Sequence, residues 1–547
     1  MTATAASYRR PRPIRTCRGR LLISVIDFLA GTPCFTSRPF RPCPCTISAL
    51  GDRLPVPHAA ATEGAMPDQP NILYIFTDQQ RADTMACYGN AMIETPNLNA
   101  LADQSFVFDN AYVSSPICTP SRSTIMTGLW PHTNGCTSNN IPFDPSVPTI
   151  ADMLPDEYAT GYYGKWHLGD EVIRQHGFDR WVSIENQYRE YHTDTEYHTV
   201  FSDYHRFLVD LGYTPDKESE GAMVFSRPFA AALPEEHTKS RFLADRASEF
   251  IHENREQPFV LYVNIFEPHP PYDGPFNDLY DPAAIPESPV FLKDPPDNAS
   301  HIHVMRKDES QSGAGFEPAP DGPLTEAFWR EIRARYWGLV TLVDRAVGRI
   351  LRALDDAGIA DRTIVVYSSE HGDQLGDHNI IQKAVFYEQS IRGPMLVRAP
   401  WPSESHTRIE GRYSHVDTVP TLLDLVGADI PGELQGRSQA RVLAGDDSLT
   451  GNDAIIDWTG RNAAPNEFAA ELDAVLNTPH RTIIADDGWK LTLTAAGQCE
   501  LYDLNTDPWE DVNLFESPAQ SSRISDMAAR LRRWQQQAGD AADLPQI

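Results

Sequence analysis

The chain has 547 residues, of which 41% are hydrophobic and 10% aromatic; that supplies one large packed domain plus a smaller one and excludes wholesale disorder. A formal charge of -30 and a pI near 4.9 exclude the broad basic face that a phosphate backbone requires, and with it a nucleic-acid partner. No apolar stretch approaches the roughly 20 residues that cross a bilayer, so no membrane span is expected.

Residues 1–65 differ in character from the rest. They carry nine Arg against three acidic residues, and four of the eight Cys: Cys17, Cys34, Cys43 and Cys45. The apolar run 21–31 is broken by Asp27 and is followed by no clean small-residue cleavage site, unlike a secretory signal. The segment reads as a disordered leader or as a start placed too early, since Met66 opens a polar lead-in to the first strong strand. Beyond it only Cys87, Cys118, Cys136 and Cys499 remain. That is too sparse for a disulfide scaffold and leans towards a reducing, cytoplasmic compartment over a secreted or periplasmic one.

Residues 71–77 (NILYIFT) form a continuous β-rich apolar run, as in a strand buried on both faces of a parallel sheet. The run ends in Asp78 and Gln79. Pro96 then starts a helix whose Leu98, Leu101 and Phe106 face inward. Residues 259–266 predict a second buried strand, ending at Glu267-Pro268-His269. In 325–357 the residues Phe328, Ile332, Leu339, Val343, Val347, Ile350 and Leu354 recur at three- and four-residue spacing, a long helix stopped by Gly358. A third strand, 363–368, leads to Glu370 and His371. Three strands thus deliver ionisable residues at their C-terminal ends, where open α/β sheets bind ligands. The stretches 188–239 and 282–323, rich in Pro, His and acidic residues, read as long surface insertions that set specificity. Residues 482–485 and 490–494 predict an antiparallel hairpin across Asp486-Asp487-Gly488, and a helix over 521–537 closes the chain. The expected organisation is a catalytic domain over 66–435 and a C-terminal subdomain over 436–547.

The chemistry concentrates around Cys118-Thr119-Pro120-Ser121-Arg122. Cys118 is expected at the N-terminus of a helix that ends near Gly128, where free N–H groups favour an anion. Arg122 follows one turn later on the same face. An isolated Cys in such a turn would be an ordinary buried thiol. This pentapeptide, however, resembles the signature of the sulfatase family, in which the Cys is converted to formylglycine by a formylglycine-generating enzyme. Further landmarks follow in the family's order. Residues 161–169 (GYYGKWHLG) resemble its second signature, which implies that Lys165 binds sulfate and His167 assists the nucleophile as a base. Asp78, Gln79, Glu370 and His371 fall where the family places metal ligands, with residue 118 itself. His269 matches a residue that binds substrate and protonates the leaving group, and Lys383 a second sulfate-binding Lys. The resemblance runs from about residue 67 to 513.

It implies an alkaline-phosphatase-like α/β/α sandwich with a mostly parallel sheet and a smaller C-terminal subdomain with an antiparallel sheet. It also implies a divalent cation and hydrolysis of a sulfated carbohydrate or aryl sulfate. Many family members carry paired Asp where this chain has Asp78-Gln79, and Asp-Asn where it has Glu370-His371. Oxygen ligands suit Ca2+ or Mg2+, and one imidazole admits Mn2+; Ca2+ is expected first. Because similar variants occur in the phosphonate monoester hydrolase branch, cleavage of a phosphonate or phosphate ester is the runner-up. A sulfated-glycan binder without catalysis is the third reading.

Overall fold

The computed structural model describes residues 69–547 apart from 220–221, 402–406 and 461–473; the expected leader, 1–65, lies outside the described residues. The strands are β1 (Asn71–Asp78), β2 (Phe106–Tyr112), β3 (Ala159–Gly164), β4 (Arg180–Ser183), β5 (Asp216–Ser219), β6 (Ala222–Phe225), β7 (Phe259–Pro268) and β8 (Thr363–Ser369). They continue with β9 (Arg392–Gly393), β10 (Met395–Arg398), β11 (Arg408–Ser414), β12 (Ala454–Trp458), β13 (His480–Ile484), β14 (Trp489–Thr494) and β15 (Glu500–Asp503). The large sheet runs β11-β2-β10-β8-β1-β7-β3-β4, with β9 paired to β2. Its pairs are parallel except those of β10 and β9.

β1 is apolar from Ile72 to Phe76 because it lies between two layers, and its alternate residues serve opposite cores. Leu73 and Ile75 pack with Leu243, Ala247, Val343 and Val347, from the helices Lys239–Glu253 and Glu326–Asp356. Ile72, Tyr74 and Phe76 pack with Ile125, Met126, Leu422 and Leu423, from the helices Cys118–Thr127 and Thr418–Leu425. This is the expected α/β/α sandwich. The long helix matches its periodicity; Thr325 caps its start by accepting the Phe328 N–H. The smaller antiparallel sheet, β12-β13-β14-β15, contains the predicted hairpin and packs under the closing helix Ser521–Ala538 through Leu491, Leu493, Met527 and Leu531.

Two expectations are corrected. The Pro96 helix stops at Ala102, and Phe106 opens β2 instead of lining that helix. Ser105 Oγ donates to the Leu101 carbonyl at 2.7 Å, ending the turn, and the Phe106-Val107-Phe108 run has the β propensity to join β10 and β11. Nor are the two insertions wholly superficial. The helix Asp203–Asp210 buries Tyr204 and Leu208 in the main core, and the helix His301–Gln311 buries Ile302 and His303. Both are too short for a periodic signal to stand out.

The strands that matter lie side by side. β8, β1, β7 and β3 are consecutive in the sheet and parallel, so the residues after their C-terminal ends share one rim. Gly164, at the end of β3, has φ +128°, and a Cβ there would stand 2.1 Å from the Asn264 carbonyl oxygen. Only glycine lets β3 leave the sheet pressed against β7.

Candidate active site

On that rim, β1 supplies Asp78 and Gln79, β8 supplies Glu370 and His371, β7 leads to His269, and β3 leads to Lys165 and His167. The helix Cys118–Thr127 begins with Cys118 at its first turn and carries Arg122 one turn on, both buried. All nine predicted site residues besides Lys383 come from these elements, and Lys383 reaches in from the loop after β8.

Asp78 is the hub. Its Oδ2 accepts Lys165 Nζ at 2.6 Å and Arg122 Nη2 at 3.1 Å. Burial would raise this carboxyl, but Lys165, His269, Lys383 and Arg122 outweigh it and hold the group well below the usual carboxylate range. Arg122 also pairs with Glu370 and donates to the Lys165 carbonyl (2.6 Å) and Asn264 Oδ1 (2.9 Å). A fully buried guanidinium needs such a complete set of partners. Cys118 Sγ lies 3.4 Å from His371 Nε2, which is 3.0 Å from Glu370 Oε1.

The ligating atoms of Asp78, Cys118, Glu370 and His371 all lie within 4.8 Å of one another and are buried. Asp78 Oδ1 is buried and accepts no hydrogen bond among the described residues. An orphaned anionic oxygen facing carboxylate, imidazole and residue 118 fits a divalent cation. Gln79 is engaged differently. Its Oε1 accepts Lys383 Nζ at 2.5 Å, and its amide donates to Asp373 Oδ2 (2.6 Å) and Tyr272 Oη (3.2 Å). With Lys383 on one lone pair, the Gln79 oxygen keeps a second one that a cation could use. Its φ of +76° is left-handed, a conformation a non-glycine residue holds at a cost of about 1–2 kcal/mol.

His167 is also left-handed, at φ +56°. Glu171 holds it there by accepting the backbone N–H groups of both Trp166 and His167 at 2.7 Å. The imidazole stacks on Tyr188, with ring centres 3.9 Å apart, and its Nε2 lies 2.9 Å from Asn140 Oδ1. Bonding to that oxygen puts the proton on Nε2 and leaves Nδ1, buried and without a partner among the described residues, as the lone-pair nitrogen. Burial, then the charges of Lys165 and Arg122, hold His167 well below its ordinary range. His269 Nδ1 donates to the Pro270 carbonyl at 2.7 Å, which turns Nε2 outward. Burial and Lys383 depress this imidazole too.

Asn140, Asn264, Glu171, Tyr188 and Asp373 escape sequence reasoning. Asn264 alone left a signal, a polar residue in the middle of a strand otherwise apolar on both faces. The others sit in loops whose composition marks nothing.

Residues 70–428 match the family model described as Sulfatase, and residues 376–537 match the one described as N-sulphoglucosamine sulphohydrolase, C-terminal. The chain belongs to the sulfatase family. As a sulfatase it is a sulfuric ester hydrolase of the alkaline phosphatase superfamily, as its motifs implied. It is 27% identical over 488 residues to an ulvan-active sulfatase of Formosa agariphila, covering 87% of this chain and 82% of the relative. It is 26% identical over 526 residues to the N-acetylglucosamine-6-O-sulfatase of Bacteroides thetaiotaomicron, covering 86% and 87%. In fold it is similar to a phosphonate monoester hydrolase of Silicibacter pomeroyi, with a TM-score of 0.71 at 23% identity over 86% of this chain and 96% of that one. Sulfatases employ a divalent metal and a formylglycine, and Asp78, Cys118, Glu370 and His371 form a cluster that could hold a metal ion. No helix among the described residues is long and apolar enough to cross a membrane.

Proposed function

We propose that this sulfatase cleaves sulfate esters of carbohydrates, with residue 118 as formylglycine nucleophile and Asp78, Glu370 and His371 as ligands of a divalent cation. The convergence of those groups with Lys165, Lys383 and two depressed histidines on one buried rim carries the reading. Carboxylate oxygens favour Ca2+, while the His371 imidazole leaves room for Mn2+.

A bound cation would supply charge that polarises the hydroxyl groups of residue 118. A hydrated aldehyde at this position offers one hydroxyl to attack sulfur and a second through which sulfate is then expelled, which a plain Ser or Cys cannot provide. Lys165 and Lys383 neutralise the ester oxygens, and water exclusion strengthens both contacts. Arg122 keeps the anionic ligands Asp78 and Glu370 in place. His269 gives the leaving alcohol its proton from Nε2. Its pKa is low in the free site, and the negative charge of a bound sulfate raises it towards a donor's range. His167 Nδ1 is free to accept the proton released when sulfate departs.

Cys118 is buried inside a helix, so the formylglycine-generating enzyme has to read the pentapeptide before the domain closes. Intact-mass analysis of the peptide containing residue 118 tests the nucleophile: conversion lowers the mass by about 18 Da, because one sulfur and two hydrogens leave and one oxygen enters. An unmodified thiol in active enzyme overturns it. Turnover of 4-nitrophenyl sulfate beside phenyl phosphonate monoesters tests the substrate class, and a dominant phosphonate activity reverses the order of the two readings.

A further inference from the structure

Behind His167 and His269 lies a second ionic cluster that the chemistry above does not use. Glu185 follows β4 and is buried; Arg227 pairs with it, and Lys239 Nζ reaches it at 2.6 Å. Burial would raise the Glu185 carboxyl, but Arg227 and Lys239 outweigh it and bring it down to about 2. Arg227 is therefore anchored as a cation at all working pH values. Tyr188 joins this cluster to the site. Its ring stacks on His167, and its hydroxyl accepts Arg227 Nη2 at 3.1 Å.

On the far side, Arg227 lines a groove of about 500 Å3 with Arg189, Lys217, His198 and the amides of Asn186 and Gln187; Glu317 is the carboxylate in that lining. Glu317 approaches Arg227 at 3.5 Å and is partly exposed. Arg189 is held by the Asn186 carbonyl (3.2 Å) and lies over the Phe201 ring, 4.5 Å from its centre. Lys217 is exposed on β5. Arg227 is matched by Glu185 and Glu317, but in a chain of formal charge -30 the lining adds Arg189 and Lys217, two basic side chains with no carboxylate ion pair among the described residues. Such a groove gathers anions and holds them with guanidinium and amide donors.

We propose that this groove is an anion subsite, so that the substrate is a sulfated sugar bearing a second negative group beside the ester that is cleaved. The inference rests on the sulfatase reading above. A second sulfate and a uronate carboxylate share the required chemistry.

The test compares the metal-loaded, formylglycine-bearing enzyme on four substrates: 4-nitrophenyl sulfate, a monosulfated sugar, the same sugar with an added sulfate, and the same sugar joined to a uronate. At least a tenfold higher kcat/KM is expected for one doubly charged sugar over the monosulfated one, and the better arm identifies the second anion. Arg189→Ala and Lys217→Ala are each expected to cut that preference by about tenfold, chiefly through KM. Titration calorimetry on the Cys118→Ala protein should show the same loss in affinity for the doubly charged sugar. A preference near one in the parent enzyme, or one that both variants leave intact, overturns the subsite while turnover of 4-nitrophenyl sulfate leaves the sulfatase reading standing. Loss of turnover on all four substrates overturns both together.

Discussion

Lys383 shows how much one side chain can hold at this rim. It sits between two left-handed residues, Gln382 (φ +64°) and Ala384 (φ +70°), pinned by Asp373 Oδ1, which accepts the Gln382 N–H, and by the Pro116 carbonyl, which accepts that of Ala384. Its amine is tied only to Gln79 among the described hydrogen bonds, so its removal leaves the fold intact. Lys383→Ala should lower sulfate-ester turnover about 10²–10³-fold, the usual cost of one preorganised charge contact, with an unchanged thermal melt by circular dichroism. The same variant makes a pH prediction. Lys383 is, after burial, the largest influence depressing His269. Protonated His269 is the proposed donor, so activity falls as pH rises through its pKa. Without Lys383 that pKa is less depressed, and the alkaline limb of kcat/KM should move to higher pH; a shift to lower pH would contradict the assignment. These residues were legible because their types and order match a known signature. Asn140, which sets the His167 tautomer, was not: it meets His167 from 27 positions away, through a loop with no pattern of its own.

Between elements, the helix Pro96–Ala102 has no side-chain cap of its own at Thr95. Asp344, midway along the long helix, provides the cap in trans by accepting the Leu98 N–H and the Asn97 amide, each at 2.7 Å. Burial raises Asp344 to about 6 against the pull of those bonds. A raised acid binds more protons folded than unfolded, so wild-type stability from this group grows as pH falls through 6 and levels off near the unfolded value of about 3.8. Asp344→Asn removes that dependence. Urea midpoints at pH 7 and pH 5 should therefore show the variant falling further behind the wild type at the lower pH, and an unchanged gap would refute the shift. The long helix itself was readable from its repeat of apolar residues, and β1 and β7 from their unbroken apolar runs. Phe106 was misplaced because an inward-facing aromatic three to five residues past a helical turn fits either continuation, and only pairing with β10 and β11 decides for a strand.

For the molecule as a whole, a cation held by the proposed cluster would make stability depend on metal. Asp78 Oδ1 is buried with no hydrogen bond among the described residues, and a cation that binds there stabilises only the folded chain. Chelation should lower the melting temperature and Ca2+ restore it, with about 2.7 kcal/mol regained when free cation is a hundredfold above Kd. Asp78→Asn should abolish that response. A melt indifferent to chelator and to added Ca2+ would mean that the cluster holds no structural cation.

Local order sufficed for everything whose information is local. Apolar runs and three-to-four-residue repeats placed the buried strands and the long helix, and the resemblance to the sulfatase signatures nominated Asp78, Gln79, Cys118, Arg122, Lys165, His167, His269, Glu370, His371 and Lys383. What the chain order could not express is adjacency. The parallel order β8-β1-β7-β3 places the residues that follow four strand ends on one rim, and buried charge then selects partners by distance instead of by sequence. That selection gave Arg122 its Asn264, His167 its Asn140 and Tyr188, and Lys383 the Gln79 oxygen expected to face a metal. A buried charge cannot remain unpaired, so the tertiary structure had to supply those neighbours from wherever the fold brought them.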